Sequence, residues 1–408
     1  MRHQIVFLVL ALIAACQPKP SAPATIADDI AILASDSLMG REIGTPGEKM
    51  AAAYIANRFE TIGLSSKGTN GFFQSFFVNQ PNNPHEQAQI SGKDSIQGTE
   101  GLNVVGYLDN PGSSIIIIGA HYDHLGYGGF SSLHRGDSAI HNGADDNASG
   151  VAAMLQIAAY FRLQKIQSDL LFIAFSGEEK GLWGSNYFAK NPTVNLSEVN
   201  YMINMDMVGR LDTARGVAIH GTGTAPNWPE VIDKANTVGL KVIMKESGVG
   251  PSDHTSFYLQ DIPVLHFFTG QHEDYHKPGD DVELINIAGI EQIATHITNI
   301  IVNLDSAPKL VFQKTKDESR QGPKFTVTLG VVPDYLFDGK GMRIDGVSDD
   351  KPAQHAGLKK GDIVIQLGDS TVTDMMSYMR ALSAFEKGDE TTVIVTRDST
   401  NIEFDLSF

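Results

Sequence analysis

Four short apolar runs organise the first three quarters of the chain, and polar residues follow each of them. The runs cover residues 114–119, 169–175, 201–205 and 262–268. Short runs of this kind, bounded by Gly and polar residues, are typical of strands that are buried on both faces. Between the first two runs, residues 150–164 place small and apolar residues at roughly helical spacing. Alternating strands and helices predict an α/β fold with a mostly parallel sheet flanked by helices.

A helix with a signal at each end precedes these runs. Thr45 suits the N-cap, Pro46 suits the first helical position, and Glu48 is placed to complete a capping box with Thr45. Gly63 is a suitable terminating residue. The sequence therefore predicts a helix from Thr45 to Gly63, and these residues support the fold, not the chemistry.

Residues able to bind metal ions recur just past the apolar runs. In open α/β sheets, ligands bind beyond the carboxyl ends of the strands, so we expect these side chains to converge. Two histidines and three carboxylates suit Zn²⁺, and they complete two metal sites if one carboxylate is shared. Mn²⁺ or Co²⁺ could occupy the same geometry. The five candidates are His121, Asp146, Glu179, Asp206 and His276.

Taken singly, each candidate has a simpler interpretation. An Asp or Glu after a strand more often caps a helix, and a lone His more often has a structural role. The ordered set favours a metal site, because the adjacent carboxylates of Glu178 and Glu179 repel each other unless a cation or a proton is present. Glu178, which is not needed as a ligand, could accept the proton of an activated water. His124, His141 and His254 are not needed either, and we expect them to form hydrogen bonds within the loops. For His254, which lies with Ser252 in the segment 252–257, contact with substrate is the alternative.

Five segments resemble, in order, the metal-site blocks of the co-catalytic dizinc aminopeptidases. That family includes secreted bacterial leucyl-type aminopeptidases and, more distantly, glutamate carboxypeptidase and the transferrin-receptor ectodomain. The resemblance covers about residues 26–305, and five blocks in the same order argue against chance agreement. The segments are GAHYDHLG (119–126), HNGADDNASG (141–150), FSGEEKGLWGS (175–185), NMDMVG (204–209) and DYHKPGDD (274–281).

The resemblance implies a role for each residue of the site. Two Zn²⁺ ions would share Asp146, and a cis peptide bond would follow that residue. Glu178 would be the general base and later the acid that protonates the leaving amine. Asp123 would orient the imidazole of His121, and Tyr275 would donate to the oxyanion. The terminal ligands would be His121, Glu179, Asp206 and His276.

These roles predict a metal-dependent aminopeptidase that acts on peptides with a free N-terminus. A carboxypeptidase or a glutaminyl-cyclase-type enzyme of the same fold is an alternative, although the cyclase relatives use one zinc and lack the full dinuclear set. A non-catalytic envelope receptor that binds peptides is another. Inactive relatives typically lose ligands, whereas this sequence retains all five.

A second domain is predicted at the C-terminal end. Residues 306–324 form a charged, aperiodic linker, and residues 325–408 read as short strands and turns with a helix over residues 373–385. The first domain would therefore cover residues 25–305. The segment KPAQHAGLKKGDIVIQLGD (351–369) resembles a PDZ domain of the bacterial type.

This resemblance implies a peptide-binding loop made of Thr328, Leu329, Gly330 and Val331. Backbone N–H groups of such a loop bind the C-terminus of a peptide, which adds to the sheet as a strand. The alternative is a domain that only packs on the first domain and binds no ligand.

The N-terminus resembles a bacterial lipoprotein signal. Residues 1–15 hold two basic side chains and an apolar run too short to span a bilayer, and Cys16 would be the lipidated first residue of the mature chain. Residues 16–24, with three prolines, read as a tether. The sequence predicts an exported bacterial protein, lipid-anchored in the cell envelope and either facing the periplasm or in the outer membrane. A plain secretory signal is the alternative.

Composition removes two further possibilities. The net charge of −17 argues against nucleic acid as a partner, because nucleic-acid binding requires a basic surface. The chain has a single cysteine, so no intramolecular disulfide can form. With 408 residues it is long enough for two domains that each have a core.

Overall fold

The structure is a computed structural model that describes residues 24–79, 88–92, 98–112, 114–129, 131–316, 326–334, 337, 339–348 and 350–408. The predicted signal peptide, the lipidation site Cys16, nearly all of the tether and linker residues 317–324 lie outside the described residues, so these assignments stay predictions. None of the helices in the described part of the chain has the length and apolar character needed to cross a membrane.

The described residues form two sheets with helices around them. The helices are α1 Ile26–Leu33, α2 Pro46–Ile62, α3 Gly150–Leu163, α4 Trp183–Lys190, α5 Trp228–Ala235, α6 His254–Tyr258, α7 Ile287–Leu304, α8 Pro352–Ala356 and α9 Met375–Leu382. The strands of the N-terminal sheet are β1 Ser65–Ser66, β2 Phe73–Asn79, β3 Gln89–Ser91, β4 Thr99–Leu108, β5 Ile115–His121, β6 Asp169–Phe175, β7 Val199–Met205, β8 Val217–His220, β9 Val242–Lys245 and β10 Val264–Phe268. Those of the C-terminal sheet are β11 Val331–Pro333, β12 Met342–Val347, β13 Ile363–Leu367, β14 Ser370–Thr371, β15 Glu390–Arg397 and β16 Thr400–Ser407.

The centre of the N-terminal sheet is parallel, as the apolar runs predict. Its strands follow the order β3-β2-β4-β6-β5-β7-β10-β8-β9, with β1 beside β4. The four neighbours β6, β5, β7 and β10 run in the same direction, and every residue of β5, β6 and β7 is buried. Antiparallel pairs extend the sheet on both sides. The predicted α/β class is confirmed.

Helices cover both faces of this sheet. In β5, Ile116 and Ile118 pack in the larger core with α1, α2, α3, α5 and α7. Their neighbours Ile115 and Ile117 point to the opposite face, where the core includes residues of α4 and α6. Successive side chains of a strand alternate between faces, which explains why continuous apolar runs are needed at these positions.

The register brings the carboxyl ends of the central strands level with one another. His121, the last residue of β5, pairs with Phe175, the last residue of β6. Met205 at the end of β7 pairs with Phe267 of β10. Residues that follow these strands therefore enter one space at a single edge of the sheet.

Helix α2 begins and ends where the sequence predicts, but its capping box does not form. The hydroxyl of Thr45 accepts the N–H of Glu48 at 3.3 Å, and Gly63 ends the helix with φ of +94°. The predicted return contact from Glu48 to the N–H of Thr45 is wrong. The Glu48 carboxylate is buried and instead accepts the N–H groups of Gly44 at 2.7 Å and Leu102 at 3.1 Å. It ties α2 to β4.

The C-terminal domain has its own sheet and core. Its strands follow the order β11-β12-β13-β15-β16, with β14 beside β13, and buried side chains such as Leu329, Ile344 and Val393 form the core. The helix predicted over residues 373–385 covers only Met375–Leu382. Asp374 is its N-cap and accepts the N–H of Ser377 at 2.7 Å.

A buried ion pair joins the first two helices. The guanidinium of Arg58 on α2 donates to both carboxylate oxygens of Asp29 on α1, at 2.6 and 3.1 Å, and Tyr54 donates to the same carboxylate at 2.6 Å. The Asp29 and Arg58 side chains are only 2% and 9% exposed. By contrast, the pair between Lys49 and Glu100 is exposed.

We predict that Asp29→Ala lowers the free energy of unfolding by about 3–5 kcal/mol, because it leaves the Arg58 charge buried without a partner. Lys49→Ala is the control and should cost at most about 1 kcal/mol. Urea unfolding followed by tryptophan fluorescence measures both changes in the N-terminal domain, since the two tryptophans, Trp183 and Trp228, lie there. A loss in Asp29→Ala no larger than in Lys49→Ala would contradict the prediction.

Candidate functional site

All five predicted metal ligands come together at the carboxyl edge of the central strands. The elements that carry these residues are far apart in sequence. The cluster can form only because the central strands end at the same edge of the sheet. His121 is the last residue of β5, Asp206 follows β7 directly, Glu179 follows β6, His276 lies in the loop after β10, and Asp146 lies in the turn 144–149 before α3.

Asp146 lies between the two imidazoles. Its Oδ1 is 3.3 Å from Nε2 of His121, and its Oδ2 is 3.3 Å from Nε2 of His276. The peptide bond between Asp146 and Asn147 is cis, as the resemblance implied. One carboxylate thus presents a different oxygen to each half of the site.

Each imidazole also faces a second carboxylate. Nε2 of His121 is 3.3 Å from Oδ1 of Asp206, and Nε2 of His276 is 3.2 Å from Oε2 of Glu179. The site therefore divides into a half around His121 and a half around His276, with Asp146 common to both.

The spacing of these atoms fits zinc. Atoms bound about 2.0–2.1 Å from a tetrahedral Zn²⁺ lie about 3.3–3.5 Å from one another, close to the separations of 3.2–3.3 Å found here. Imidazole nitrogens and carboxylate oxygens are also the donors that zinc takes in catalytic sites. Among the described residues, two groups of donors lie within 4.8 Å of one another: His121 with Glu178 and Asp206, and His124 with Asp146 and Glu179. These groups include Glu178 and His124, which were not predicted as ligands, and they lack His276, which contacts Asp146 and Glu179 from the other side.

Backbone contacts orient His276. Its Nδ1 donates to the carbonyl oxygen of Ser131 at 2.9 Å, which leaves Nε2 to face the carboxylates. Its φ of +53° is uncommon for a residue other than glycine. The N–H of Leu133 donates to the His276 carbonyl at 3.0 Å. Residues 131–133 therefore hold this predicted ligand in an uncommon backbone conformation.

Asp123 is adjacent to His121, but its carboxylate is not the nearest acceptor. Nδ1 of His121 is 3.7 Å from the Asp123 carboxylate and 3.2 Å from the Asp123 carbonyl oxygen. The carboxylate accepts the N–H of Glu178 at 3.1 Å. Asp123 thus orients the predicted base through its side chain and His121 through its backbone.

The environments of the adjacent residues Glu178 and Glu179 shift their pKa values in opposite directions. Burial holds the pKa of Glu178 well above its ordinary value, and the negative charges of Asp206, Glu179 and Asp253 add to this effect. For Glu179, burial and Asp146 raise the pKa, but the charge of His276 and a hydrogen bond from His124 outweigh them and lower it to about 2. One carboxyl therefore favours a proton and its neighbour favours the charged form, as an acid–base group and a ligand require.

His124 lies closer to the site than the sequence indicated. Its Nδ1 is 2.7 Å from Oε1 of Glu179, so its hydrogen bond goes to a predicted ligand. His141 behaves as expected and bonds within its loop, to Ala139 and Ser132. The expected hydrogen bonds of His254 do not form: neither of its ring nitrogens has a hydrogen-bond partner among the described residues. Its ring stacks on the imidazole of His266 at 4.5 Å.

Asp280 and Arg41 support the site, although neither was among the predicted site residues. The Asp280 carboxylate accepts the N–H groups of Asp145 and Asp146, each at 3.0 Å, so it fixes the backbone of the shared carboxylate. Arg41 is buried and donates to the carbonyl oxygens of Leu33, Tyr122, Asn142 and Gly143. Burial lowers its pKa to about 10. Asp280 lies inside one of the motif blocks, whereas no local pattern marks Arg41.

Asp253 was also missed. It is fully buried, and burial raises the pKa of its carboxyl to about 7. Tyr275 lies beside the site, with its ring stacked on the imidazole of His276 at 3.8 Å. Burial and the carboxylates of the site raise the pKa of Tyr275 well above its ordinary value, so its hydroxyl keeps its proton.

The predicted peptide-binding loop belongs to the C-terminal sheet, whereas the predicted metal ligands lie at one edge of the N-terminal sheet. Leu329 is part of the core of that domain. Gly330 has φ of +79°, and its N–H donates to the hydroxyl of Thr328 at 3.1 Å. Val331 begins the edge strand β11. One of the N–H groups predicted to bind a peptide carboxylate thus has an acceptor within the loop.

Comparison with known proteins assigns both parts of the chain. Residues 103–301 match peptidase family M28, and residues 312–408 match the PDZ domain. The chain is 28% identical to aminopeptidase YwaD of Bacillus subtilis over 217 residues, a match that covers 50% of this chain and 44% of that protein.

Solved structures share the fold of the N-terminal domain. The zinc aminopeptidase BSAP from Bacillus subtilis aligns with a TM-score of 0.53 and 17% identity, over 70% of this chain and 97% of that one. A glutaminyl cyclase from Bacteroides thetaiotaomicron aligns with a TM-score of 0.54 and 19% identity, over 69% of this chain and 99% of that one. These identities show the fold alone. The family matches show that residues 103–301 form a domain of peptidase family M28, a family of zinc peptidases, and that residues 312–408 form a PDZ domain.

Proposed function

We propose that this protein is a zinc-dependent aminopeptidase with two metal ions and Glu178 as its general base. The observation that carries the proposal is the position of Asp146, whose two oxygens each face a different imidazole. A carboxylate placed in this way is suited to bridging two ions about 3.5–4 Å apart.

The residues present would hold one ion with His121 and Asp206 and the other with His276 and Glu179, while Asp146 would contact both. The bound ions would supply Lewis-acid chemistry and lower the pKa of a water molecule. His124 contacts Glu179 and would orient that carboxylate.

Glu178 would move the protons of the reaction. Its carboxyl lies 4.0 Å from Nε2 of His121, next to the ligands without being required as one. The raised pKa of Glu178 suits a group that takes a proton and later returns it to the leaving amine. Tyr275 keeps its hydroxyl proton and could donate it in a hydrogen bond to the developing oxyanion.

The excess of carboxylates at the site favours a substrate with a free amino group. The site holds more carboxylates than imidazoles, and a substrate ammonium group would offset part of this negative charge. The aminopeptidase names of a sequence relative and of a structural neighbour support this choice. A carboxypeptidase or a cyclase reaction is the competing possibility, and a structural neighbour is a glutaminyl cyclase.

One experiment separates these reactions. The purified protein is incubated with a peptide in two forms, with a free and with an acetylated N-terminus, and the products are identified by mass spectrometry with and without a chelator. We expect stepwise, chelator-sensitive trimming of the free form only. Trimming of both forms from the C-terminus would show a carboxypeptidase. Absence of any cleavage would contradict the proposal and favour a cyclase or a peptide-binding receptor.

We predict that Glu178→Ala retains the bound metal and the fold but lowers kcat by about 10²–10⁴-fold, because proton transfer is lost. Steady-state kinetics with an aminoacyl anilide, together with metal analysis of the same sample, measures both properties. Glu60→Ala, on the exposed face of α2, is the control and should leave kcat unchanged. Full activity of Glu178→Ala would show that another group is the base.

We predict that Asp146→Ala binds fewer than two zinc ions per chain, since each half of the site loses one oxygen ligand. Inductively coupled plasma mass spectrometry of protein dialysed against micromolar zinc measures the ratio. Asp233→Ala, an exposed position on α5, controls for nonspecific metal loss. Two ions per chain in Asp146→Ala would rule out the shared ligand.

A further inference from the structure

The PDZ domain is held against the peptidase domain by buried carboxylates. Arg215, in the loop between β7 and β8, donates to Asp334 at 3.1 Å and to Asp345 on β12 at 2.9 Å. The two carboxylate side chains are only 2% and 7% exposed. Arg343 also donates to Asp334. Ion pairs that are this little exposed hold a defined geometry better than pairs on an open surface do.

A cavity of about 390 Å³ lies between the two domains. The peptidase domain contributes residues 133–135 and several residues of the segment 272–277, and the PDZ domain contributes Val332, residues 345–348 and Lys360. This volume is within the roughly 300–1,000 Å³ range of small-molecule sites.

The cavity borders the metal site through a shared segment. Tyr275 lines the cavity, and its ring stacks on the imidazole of the predicted ligand His276. Leu133 also lines the cavity, and its N–H donates to the carbonyl oxygen of His276. A peptide bound at the metals could therefore continue past Tyr275 into this space.

The lining of the cavity holds three basic and two acidic side chains, an excess of one positive charge, although the chain as a whole carries a net charge of −17. Arg135, Lys277 and Lys360 line it, and within the described residues neither Arg135 nor Lys277 forms an ion pair with a carboxylate. Of the two acidic residues, Asp345 is already paired with Arg215 and with Lys360, the latter at 3.4 Å, and Glu273 is exposed. The remaining positive charge suits an anionic group of a ligand.

We propose that this cavity is a substrate subsite that binds the carboxylate of a short peptide whose N-terminal residue lies at the metal ions. The PDZ domain is then one wall of the substrate site and limits the length of the peptide. This inference rests on the proposed aminopeptidase function. The carboxylate comes from the C-terminus of the peptide or from an acidic side chain near it, and both present the same chemistry to Arg135, Lys277 and Lys360.

The test compares kcat/KM for three tripeptides: one with neutral side chains and a free C-terminal carboxylate, its C-terminal amide, and an amide with a third-position glutamate. A neutral aminoacyl anilide reports the reaction without the subsite. We expect the protein to prefer the free acid over the neutral amide by about tenfold, as charged hydrogen bonds allow. A preference for the glutamyl amide over the neutral amide would show that the subsite also binds a side-chain carboxylate.

Lys360→Gln should lower the preference for the free acid over the amide by about threefold, in keeping with the loss of one partly exposed charge, with the anilide turnover of the same variant as the reference. Its sequence neighbour Lys359 is also exposed but does not line the cavity, so Lys359→Gln is the matched control. Arg215→Gln removes the ion pairs that hold the PDZ domain against the peptidase domain, and it should also lower the preference for the free acid over the amide. Titration calorimetry with the Glu178→Ala variant, which we expect not to turn the peptides over, should show tighter binding of the free acid than of the neutral amide.

The outcomes separate the two proposals. If neither the anilide nor any peptide is hydrolysed, the aminopeptidase function fails. If the anilide is hydrolysed but acid and amide are cleaved equally well, or Lys360→Gln and Lys359→Gln behave alike, the subsite is overturned while the aminopeptidase function stands.

Discussion

The structure depends on how buried negative charge is held at one edge of the central sheet. Asp146, Glu179 and Asp206 each lie within 3.3 Å of an imidazole nitrogen, and Glu178 is buried beside them. Burying several like charges is costly unless protons or cations offset them. Two imidazoles offset only part of this charge. Divalent ions would offset the rest, so metal binding and stability of the folded state are expected to be linked.

Such a cluster requires loops from distant parts of the chain to be fixed together, and buried polar contacts do this. Arg41 gathers carbonyl oxygens that lie 8 to 102 residues away in sequence. Asp280 holds the backbone of Asp146 across 134 residues, and Asp123 holds that of Glu178 across 55. Each of these groups would be costly to bury without its partner. The site is therefore positioned as much by these contacts as by the strands.

The strand ends and the clustering of the ligand candidates could be predicted from the sequence because both depend on local patterns. The apolar run at residues 169–175 gives β6 residue for residue, and parallel strands end at a common edge, so His121 and Asp206 had to be near neighbours. Arg41, Asp253 and Asp280 escaped prediction because their roles depend on what lies opposite in the folded chain. Glu48 shows the same limit: its local pattern fits a capping box, but burial against β4 gave its carboxylate stronger partners.

The PDZ domain could affect the site through its position beside it as well as through its own peptide-binding loop. Part of its predicted loop is satisfied internally, since the N–H of Gly330 donates to Thr328. Meanwhile residues of β11 and β12 form a wall of the cavity next to Tyr275. If the site acts on peptides as proposed, a domain fixed by Arg215 in this place would restrict which peptides reach it, whether or not its own peptide-binding loop is occupied. A site open on all sides would not discriminate by peptide length, so a second domain at the rim of the proposed site would add a limit on length that an open site lacks.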